Sequence, residues 1–461
     1  MLLGERSVTA SPTPDIAPVA EVALGPGNGY AWPAVRVLLI DFNPFAAAVT
    51  PISLGSLAAA LRRDGHRATV LSLGSDSGFS VAGLSSWLIE LAPDLVGLAA
   101  YQRNLVHVRG LARLVKRVVP SARVVLGGPQ AMFMPAEALL AMPEVDFLAR
   151  GEGELAVTEI VDAIARGPAC DAPIPGVTSR LSDGSPVTGD PSQPPADLDA
   201  YPSPWLDGVL DPARWPEAIL LTSRGCPFHC LLCLTPTVPG GLRRHSVDRV
   251  LDEIELVARH GSGRLWFADP NFCASPDRVV EILEGVLHRG VEVAMWIELR
   301  ADMVSGELVP LMRRAGVERV AMGLESASPR VLERVNKAID PGRVATAAGE
   351  LLAAGIDVEL FSQYALPGER VVDALHTLRF VTDCGVAIRG NSNAQQLQLY
   401  FGSDISANHR RYGVRPLCAE RPSYLAIGTD FETDWMERAE IARVKSAWRA
   451  ASVDGGVGIV T

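Results

Sequence analysis

The chain has 461 residues, which is too long for one ordinary domain and fits two or three. Hydrophobic residues make up 48% and charged residues 21%, which is typical of packed globular proteins and excludes a disordered chain. The net charge is −11 and no run of Lys and Arg offsets it, which argues against nucleic acid as a partner. Seven cysteines among 461 residues exclude a disulfide scaffold and indicate a reducing compartment.

The first 34 residues are rich in Pro, Gly, Ser and Thr and contain no sustained apolar run. We therefore expect a disordered tail over residues 1–34 and no signal peptide. Nowhere does the sequence approach the roughly 18–20 consecutive apolar residues of a membrane span. These features predict a cytoplasmic protein that does not associate with a membrane.

Short apolar segments alternate with amphipathic ones over residues 35–167, beginning with a predicted strand at 36–40. Because parallel strands need a helical crossover between them, this alternation predicts an α/β domain with a doubly wound, Rossmann-like parallel sheet. Such sheets bind ligands at the carboxyl ends of their strands, which here are residues 41–51, 99–105 and 127–134.

Residues 168–216 contain many Pro, Asp, Ser and Gly residues, which predicts a linker between domains. Strand and helix patterns then alternate again over residues 217–415 in six βα units. Six such units predict a partial (β/α)6 barrel, whose functional residues we expect at the carboxyl ends of its strands. Residues 416–461 remain as a C-terminal capping segment.

Three cysteines lie close together in the loop that follows the first barrel strand. Cys226, Cys230 and Cys233 have the spacing C-x3-C-x2-C. Structural zinc sites normally have four protein ligands, whereas three thiolates suit a [4Fe–4S] cluster whose fourth iron binds a small molecule. Two alternatives are a zinc site completed by His229 or His245, and three buried free thiols.

This cysteine loop resembles that of the radical S-adenosylmethionine (radical SAM) superfamily, and the resemblance extends over about residues 216–415. It implies that Cys226, Cys230 and Cys233 bind a [4Fe–4S] cluster, which cleaves S-adenosylmethionine (AdoMet) reductively to methionine and a 5′-deoxyadenosyl radical. That radical abstracts hydrogen from a substrate. One departure is Leu232, where the family usually has an aromatic residue near the adenine.

Three further residues at successive strand ends match positions that bind AdoMet in this family. The resemblance implies that Asp269 lies in an acidic turn near AdoMet, that Arg300 binds its carboxylate and that Glu325 accepts hydrogen bonds from its ribose. Residues 366–369 match the family's LPGE turn. The alternative for each charged residue is an ordinary surface ion pair.

The domain that precedes the barrel resembles the cobalamin (B12)-binding subclass of the superfamily over residues 36–165, including residues 127–129 and 151–154. The D-x-H-x-x-G pattern of other B12 proteins begins at Asp64 but has Thr69 where Gly is required. Since many members of the subclass bind the corrin without that histidine, cobalamin is still expected as a possible cofactor.

Several residues at the strand ends of this domain are candidates for contact with the corrin. The residues assigned to cobalamin are Tyr101, Arg103, Gly127 and Gly128, and the polar neighbours of the first two are Gln102, Asn104 and His107. The alternative is that these side chains close the end of the sheet or contact the barrel.

The other four cysteines show no paired spacing, so no auxiliary cluster is expected; they are Cys170, Cys273, Cys384 and Cys418. In the C-terminal segment the polar and aromatic residues expected to close the barrel mouth or to pack are Tyr424, Asp430, Asp434 and Trp435.

The resemblance implies a radical SAM enzyme that acts on a small molecule, a natural product such as an antibiotic precursor, by cobalamin-dependent C-methylation. Its expected protein partner is an electron donor such as flavodoxin or ferredoxin. One alternative is a cobalamin-independent dehydratase or other lyase acting on a sugar or aminoglycoside. A second is a non-catalytic metal-binding docking protein. The sequence assigns no catalytic acid or base.

Overall fold

The computed structural model describes residues 20–22, 33–45, 47–75, 77–167, 172–235, 238, 240–389, 395–417 and 428–453. Most of the predicted tail lies outside the described residues, and so do Cys170, Cys418 and Tyr424.

Eight strands form the N-terminal sheet. In chain order they are β1 (Ala20–Val22), β2 (Arg36–Asn43), β3 (Arg67–Gly74), β4 (Leu95–Ala99), β5 (Arg123–Gly127), β6 (Phe147–Ala149), β7 (Val177–Arg180) and β8 (Pro186–Thr188). Their order in the sheet is β1-β3-β2-β4-β5-β6-β7-β8, and β3, β2, β4, β5 and β6 are parallel. Strand order reverses at β2, so a ligand crevice is expected where β2 and β4 end.

Helices cover both faces of this sheet. They are α1 (Ile52–Arg63), α2 (Val81–Leu91), α3 (Leu105–Val118), α4 (Pro129–Phe133) and α5 (Gly153–Arg166). Alternate residues of β2 point to opposite faces: Val37 and Leu39 pack with α1 and α5, whereas Leu38 and Ile40 pack with α2 and α3. Burial on both faces explains the continuous apolar pattern of the strand and confirms the doubly wound fold.

The sequence-based boundaries differ from the structure at both ends of this sheet. Ala20–Val22, within the predicted tail, pair with β3, and the predicted linker contributes the antiparallel strands β7 and β8. Pro and Gly suggested a linker, but Pro is tolerated on an edge strand, where Pro186 lies. Gly184 turns the hairpin with a φ of +86°.

The remaining strands belong to the second domain. They are β9 (Ala218–Leu220), β10 (Ser223–Arg224), β11 (Arg243–Arg244), β12 (Arg264–Phe267), β13 (Ala294–Leu299), β14 (Val317–Glu325), β15 (Asp357–Tyr364), β16 (Gln395–Gln396), β17 (Val414–Pro416) and β18 (Phe431–Thr433). Six of them form a parallel sheet in the order β16-β15-β14-β13-β12-β9. This sheet is the predicted partial barrel.

Helices connect the barrel strands and close the C-terminal end. They are α6 (Val247–His260), α7 (Pro276–His288), α8 (Leu308–Arg314), α9 (Pro329–Arg334), α10 (Pro341–Ala353), α11 (Val371–Asp383), α12 (Asp404–Ala407) and α13 (Arg438–Ala451). In the C-terminal segment, β17 pairs with β18 and α13 packs against α11. None of the described helices has the length and apolar character needed to cross a bilayer.

The two domains meet in a buried ionic cluster. Glu152 accepts hydrogen bonds from Arg243 Nη1 at 3.2 Å and from the Tyr201 hydroxyl at 2.7 Å. Arg224 Nη2 lies 2.6 Å from Glu154, and Arg224 Nη1 lies 3.3 Å from Glu152. The Glu152 and Arg243 side chains are only 8% and 7% exposed. Burial would raise the pKa of Glu152, but Arg243, Arg224 and Tyr201 lower it below its ordinary value.

We expect Glu152→Ala to lower the free energy of unfolding by about 3–5 kcal/mol, because the buried Arg243 guanidinium loses its carboxylate. Chemical denaturation followed by fluorescence measures this loss. Glu159→Ala, on the same helix and without an ion pair among the described residues, is the control and should change stability by less than about 0.5 kcal/mol. Equal, small effects of both substitutions would contradict a structural role for the ionic cluster.

Candidate functional site

A cavity of about 600 Å³ lies at the carboxyl ends of the barrel strands. It brings together several of the residues predicted from the sequence. Its lining includes Cys226, Cys230, Leu232, Cys233, Arg300 and Glu325 from the barrel and Tyr101 from the N-terminal domain. We call this space the barrel cavity.

The cysteine loop begins at a glycine that no other residue can replace without strain. Gly225 has a φ of +85°, and a Cβ there would lie 2.1 Å from the carbonyl oxygen of Gly241. The loop then carries Cys226 and Cys230 into partly buried positions, whereas Cys233 is exposed.

Two cations in the barrel cavity act on the thiols. Burial raises the pKa of Cys226 and of Cys230, whereas the charges of Arg300 and Lys337 lower both values. Burial is the larger effect, so the pKa of both thiols stays above its ordinary value, and the two cations offset only part of that rise. Lys337 is itself 9% exposed, and the sequence analysis did not identify it.

Asp269 is fully buried and does not line the cavity. Its carboxylate accepts hydrogen bonds from the amide and hydroxyl of Thr222, at 2.6 and 2.5 Å, and from the Ser223 hydroxyl at 2.8 Å. It therefore ties the end of β12 to the chain segment that leads into the cysteine loop. Its assignment to AdoMet stays a prediction. The observed hydrogen bonds of Asp269 hold Thr222 and Ser223 in place.

Arg300 lines the cavity, and two nitrogens of its guanidinium already donate hydrogen bonds within the protein. It binds Asp302 through two hydrogen bonds of 3.0 and 2.9 Å, and its guanidinium carbon lies 3.8 Å from the centroid of the Phe228 ring. These contacts hold the planar group rigidly beside the cysteine loop, as binding of a carboxylate requires. Its role towards AdoMet stays a prediction.

Glu325 is held by two partners within the cavity. It accepts hydrogen bonds from Lys337 Nζ at 3.1 Å and from Gln363 Nε2 at 2.8 Å. Gly323 makes the first contact possible, since a Cβ at this position would lie 2.5 Å from Lys337 Nζ. The backbone of Glu325 itself has a φ of +64°, a left-handed conformation that is uncommon for a glutamate.

Two polar residues that the sequence analysis did not single out line the cavity more deeply. Asn271 is 2% exposed, and neither its Nδ2 nor its Oδ1 has a hydrogen-bond partner within the described structure. A buried amide without partners indicates a ligand that supplies them. Glu298 accepts a hydrogen bond from Trp266 Nε1 at 3.2 Å, and burial raises its pKa to about 7.

The LPGE turn follows the end of β15, next to the strand that carries Glu325. Glu369 is fully buried and accepts a hydrogen bond from the Leu366 amide at 3.2 Å. Burial raises the pKa of Glu369 to about 8, so the carboxyl is mainly protonated at neutral pH.

A second cavity, of about 480 Å³, lies between the N-terminal sheet and the barrel. We call it the sheet crevice. Gly127 and Gly128, where β5 ends, line it, and its inner part is apolar, with Leu39, Leu54 and Val157. An added Cβ on Gly128 would lie 3.1 Å from the Ala100 carbonyl oxygen, so the glycine keeps this end of the sheet open.

The two cavities share one wall. The residues that line both are Tyr101, Pro129, Leu234, Thr235 and Pro270. A ligand in the sheet crevice is therefore separated from one in the barrel cavity by a single layer of side chains.

The remaining candidates for corrin contact already have partners among the described residues, and their assignment to cobalamin stays a prediction. Gln102 donates to the Leu399 carbonyl of the barrel at 2.9 Å, and Asn104 donates to the carbonyls of Phe42 and Ala99. These are the alternatives of barrel contact and sheet closure. Arg103 interacts electrostatically with Asp41 and Tyr400, and the His107 ring packs edge-on against two phenylalanines.

The donor set of the cysteine loop does not match a single-metal site. His245 pairs with Asp199 at 2.9 Å, and the described residues contain no three His, Cys, Asp or Glu side chains gathered around one ion. In a cubane each cysteine binds a different iron, so the three sulfurs need not converge on one point. Three thiols beside an open cavity with two cations fit such a cluster.

Comparison with known proteins agrees with both halves of this geometry. The family model for the B12-binding domain matches residues 40–161, and that for the radical SAM superfamily matches residues 220–381. The chain is 29% identical over 300 residues to an uncharacterized methyltransferase, PH0819, of Pyrococcus horikoshii, covering 63% of this chain and 64% of the relative. It is 30% identical over 322 residues to the anaerobic magnesium-protoporphyrin IX monomethyl ester cyclase of Rubrivivax gelatinosus, covering 66% and 58%.

The fold is also that of a solved structure. The radical S-adenosylmethionine methyltransferase TsrM from Kitasatospora setae, with cobalamin and a [4Fe–4S] cluster bound, superposes with a TM-score of 0.71 at 17% identity, covering 90% of this chain and 91% of that one. The chain spans about 60% of the length of the two curated relatives. The two family models match in the order that the fold shows, so the chain carries a B12-binding domain ahead of a radical SAM domain.

Proposed function

We propose that the protein is a cobalamin-dependent radical SAM methyltransferase that methylates carbon in a small molecule. The observation that carries this proposal is the single wall between the barrel cavity and the sheet crevice, which would hold two cofactors side by side. A natural-product substrate, for example in antibiotic biosynthesis, and a cytoplasmic location complete the proposal. An exposed cysteine that binds an iron–sulfur cluster needs a reducing compartment.

In the barrel cavity, Cys226, Cys230 and Cys233 would bind a [4Fe–4S] cluster, which supplies the electron that cleaves AdoMet. Arg300 and Lys337 put positive charge beside the cysteine loop, and this charge would attract the AdoMet carboxylate and an anionic cluster. Glu325 is oriented by Lys337 and Gln363 to accept hydrogen bonds. The unpartnered Asn271 amide offers one donor and one acceptor to the ligand or substrate.

In the sheet crevice, cobalamin would supply the methyl group. Gly127 and Gly128 allow a large planar ring to approach the backbone where β5 ends, and the apolar inner part suits a nonpolar group of the same ligand. Tyr101 and Pro129 of the N-terminal domain border both cavities, so both would lie between the two cofactors.

Glu298 is the candidate for proton transfer in the barrel cavity. A carboxyl group with a pKa of about 7 exists in both protonation states at neutral pH, as a group that accepts or donates a proton during turnover must. Trp266 fixes its orientation through the 3.2 Å hydrogen bond.

The names of the relatives support methylation as the reaction, since PH0819 and TsrM are both called methyltransferases. Another relative is named a cyclase and not a methyltransferase, so the names of the relatives do not all indicate methylation. A lyase reaction on a sugar, the other enzymatic possibility raised by the sequence, has no observation in the structure that favours it.

We expect Cys230→Ala to abolish binding of the cluster and therefore cleavage of AdoMet, because two thiolates do not hold the cubane in an open loop. The measurements are iron and sulfide content after anaerobic reconstitution and 5′-deoxyadenosine formed with a chemical reductant. Cys384 is a partly buried thiol at the end of helix α11, away from the cysteine loop in the sequence. As the control, Cys384→Ala should have the iron content and the AdoMet cleavage of the wild-type protein. A Cys230→Ala protein with four irons that still cleaves AdoMet would contradict the assignment.

We expect Gly127→Leu to weaken cobalamin binding at least tenfold while leaving the iron content unchanged, because the new side chain would enter the sheet crevice. The nearest heavy atom to a Cβ at this position is 4.0 Å away, so a β-carbon fits here without displacing a neighbour. Binding is followed by corrin absorbance after gel filtration. Gly110→Leu, on helix α3 with open space around it, is the control. Unchanged corrin binding in Gly127→Leu would place the cofactor elsewhere.

A further inference from the structure

The barrel cavity contains one carboxylate that no cation of the described residues neutralises. Four charged side chains line this cavity, and they are Glu298, Arg300, Glu325 and Lys337. Arg300 pairs with Asp302, and Glu325 pairs with Lys337. Among the described residues, no Lys, Arg or His nitrogen comes within 4.0 Å of the Glu298 carboxylate. A partly buried carboxylate without a cation either takes up a proton or binds a positively charged ligand.

The charges that act on Glu298 from the neighbouring strands are negative. Burial raises the pKa of Glu298 most, and the carboxylates of Glu359 on β15 and Asp269 after β12 raise it further, whereas the hydrogen bond from Trp266 lowers it. Arg319, which lies 3.5 Å from Glu359, is near the amino-terminal end of β14 and so on the far side from the cavity. The electrostatic potential at the Glu298 carboxyl therefore favours a cation.

An amide without partners lies beside this carboxyl. The Phe272 amide donates to the Glu298 carbonyl oxygen at 2.8 Å, which places Asn271 at the strand end next to Glu298. Asn271 is 2% exposed and lines the same cavity, and neither polar atom of its side chain has a partner in the described structure. Glu298 Oε1 accepts from Trp266, whereas no described residue donates to Oε2. A carboxylate oxygen and an amide oxygen are thus both available to the N–H donors of one ligand.

The pocket around Glu298 is closed on one side and opens to the cavity on the other. Trp266 and Trp296, whose rings stack with centroids 4.8 Å apart, fill the barrel on the amino-terminal side of Glu298. Ala321 is the residue paired with Glu298 on β14, and its small side chain leaves the carboxyl accessible. Phe361 adds an aromatic wall to the cavity. Aromatic faces near a carboxylate suit a cation attached to an apolar group.

We propose that Glu298 and Asn271 bind a protonated amine of the substrate, so that the enzyme acts on an amine-bearing small molecule. This inference rests on the proposed function, because it takes the barrel cavity as the space that AdoMet and the substrate share. AdoMet at the cysteine loop leaves the Glu298 end of the cavity to the substrate. The proton transfer proposed for Glu298 then involves this amine: the carboxylate gains the proton that the ammonium group loses.

The test compares a cationic probe with a neutral probe of nearly the same shape, 2-phenylethylamine and 2-phenylethanol. Calorimetry is done at pH 8 on reconstituted protein saturated with AdoMet. We expect the wild-type protein to bind the amine about tenfold more tightly than the alcohol, because only the amine forms a charge-assisted hydrogen bond. Glu298→Gln should lose this preference and still bind the alcohol as the wild-type protein does, which shows that the pocket is formed. Asn271→Ala should weaken amine binding about fivefold.

The pH dependence gives a second readout that a merely structural carboxyl would not produce. Because the pKa of Glu298 is raised to about 7, the group is mainly ionised at pH 8 and mainly protonated at pH 6. An alkylamine stays protonated over this range, so the wild-type affinity for the amine should fall about tenfold from pH 8 to pH 6. The affinity for the alcohol, and both affinities of Glu298→Gln, should not change.

Glu284→Gln, which removes an exposed carboxylate on helix α7, is the matched control and should keep the preference for the amine. Equal binding of the two probes to the wild-type protein, no measurable binding of either, or an unchanged preference in Glu298→Gln would overturn the amine site and leave the proposed function standing. Displacement of the amine by AdoMet would assign Glu298 to AdoMet and also overturn it. A protein that takes up the cluster but no corrin would overturn the proposed function instead, since amine binding is measured independently of the corrin.

Discussion

The arrangement of the two domains depends on a buried contact between opposite charges. Glu152 and Glu154 begin helix α5 of the N-terminal domain, and Arg224 and Arg243 flank the cysteine loop. Charges removed from water are stable only when each finds its partner at close range, so the domains have little freedom to slide past one another. The same contact that joins the domains thereby also positions the start of the cysteine loop, since Arg224 is two residues before Cys226.

The position of the loop determines what the two cavities can do together. With the loop against the N-terminal sheet, Leu234 and Thr235 form part of the wall between the barrel cavity and the sheet crevice. A reaction that begins at one cofactor and is completed by another needs both within reach of a single substrate. Close apposition of the cavities supplies that condition.

Much of this organisation was predictable because it follows from local patterns. The apolar runs, the C-x3-C-x2-C spacing and the strand-end positions of Arg300 and Glu325 are all readable over a few residues. The partners were not predictable, because they are distant in sequence. The hydrogen bond from Lys337 to Glu325 forms only when the chain folds, so no local pattern predicts it. Asn is common in turns, so the sequence does not show that the Asn271 amide is buried without partners. Asp269 is readily picked out in the sequence as an acidic residue at a strand end. Its burial and its hydrogen bond with Thr222 depend on the tertiary structure and could not be predicted. The hairpin in the predicted linker was missed since Pro and Gly occur in edge strands as well as in linkers.

Electron paramagnetic resonance of protein that holds both cofactors tests most directly whether the two cavities place them side by side. The sample is reconstituted with iron, sulfide and cobalamin and then reduced, so that the reduced cluster and Co(II) cobalamin are both paramagnetic. Tyr101 and Pro270 form part of the wall between the two cavities. Cofactors on either side of this wall will broaden each other's signals through magnetic dipolar coupling. Two sharp, independent signals, or a protein that retains its cluster but no corrin, would contradict a cobalamin-dependent reaction at this shared wall.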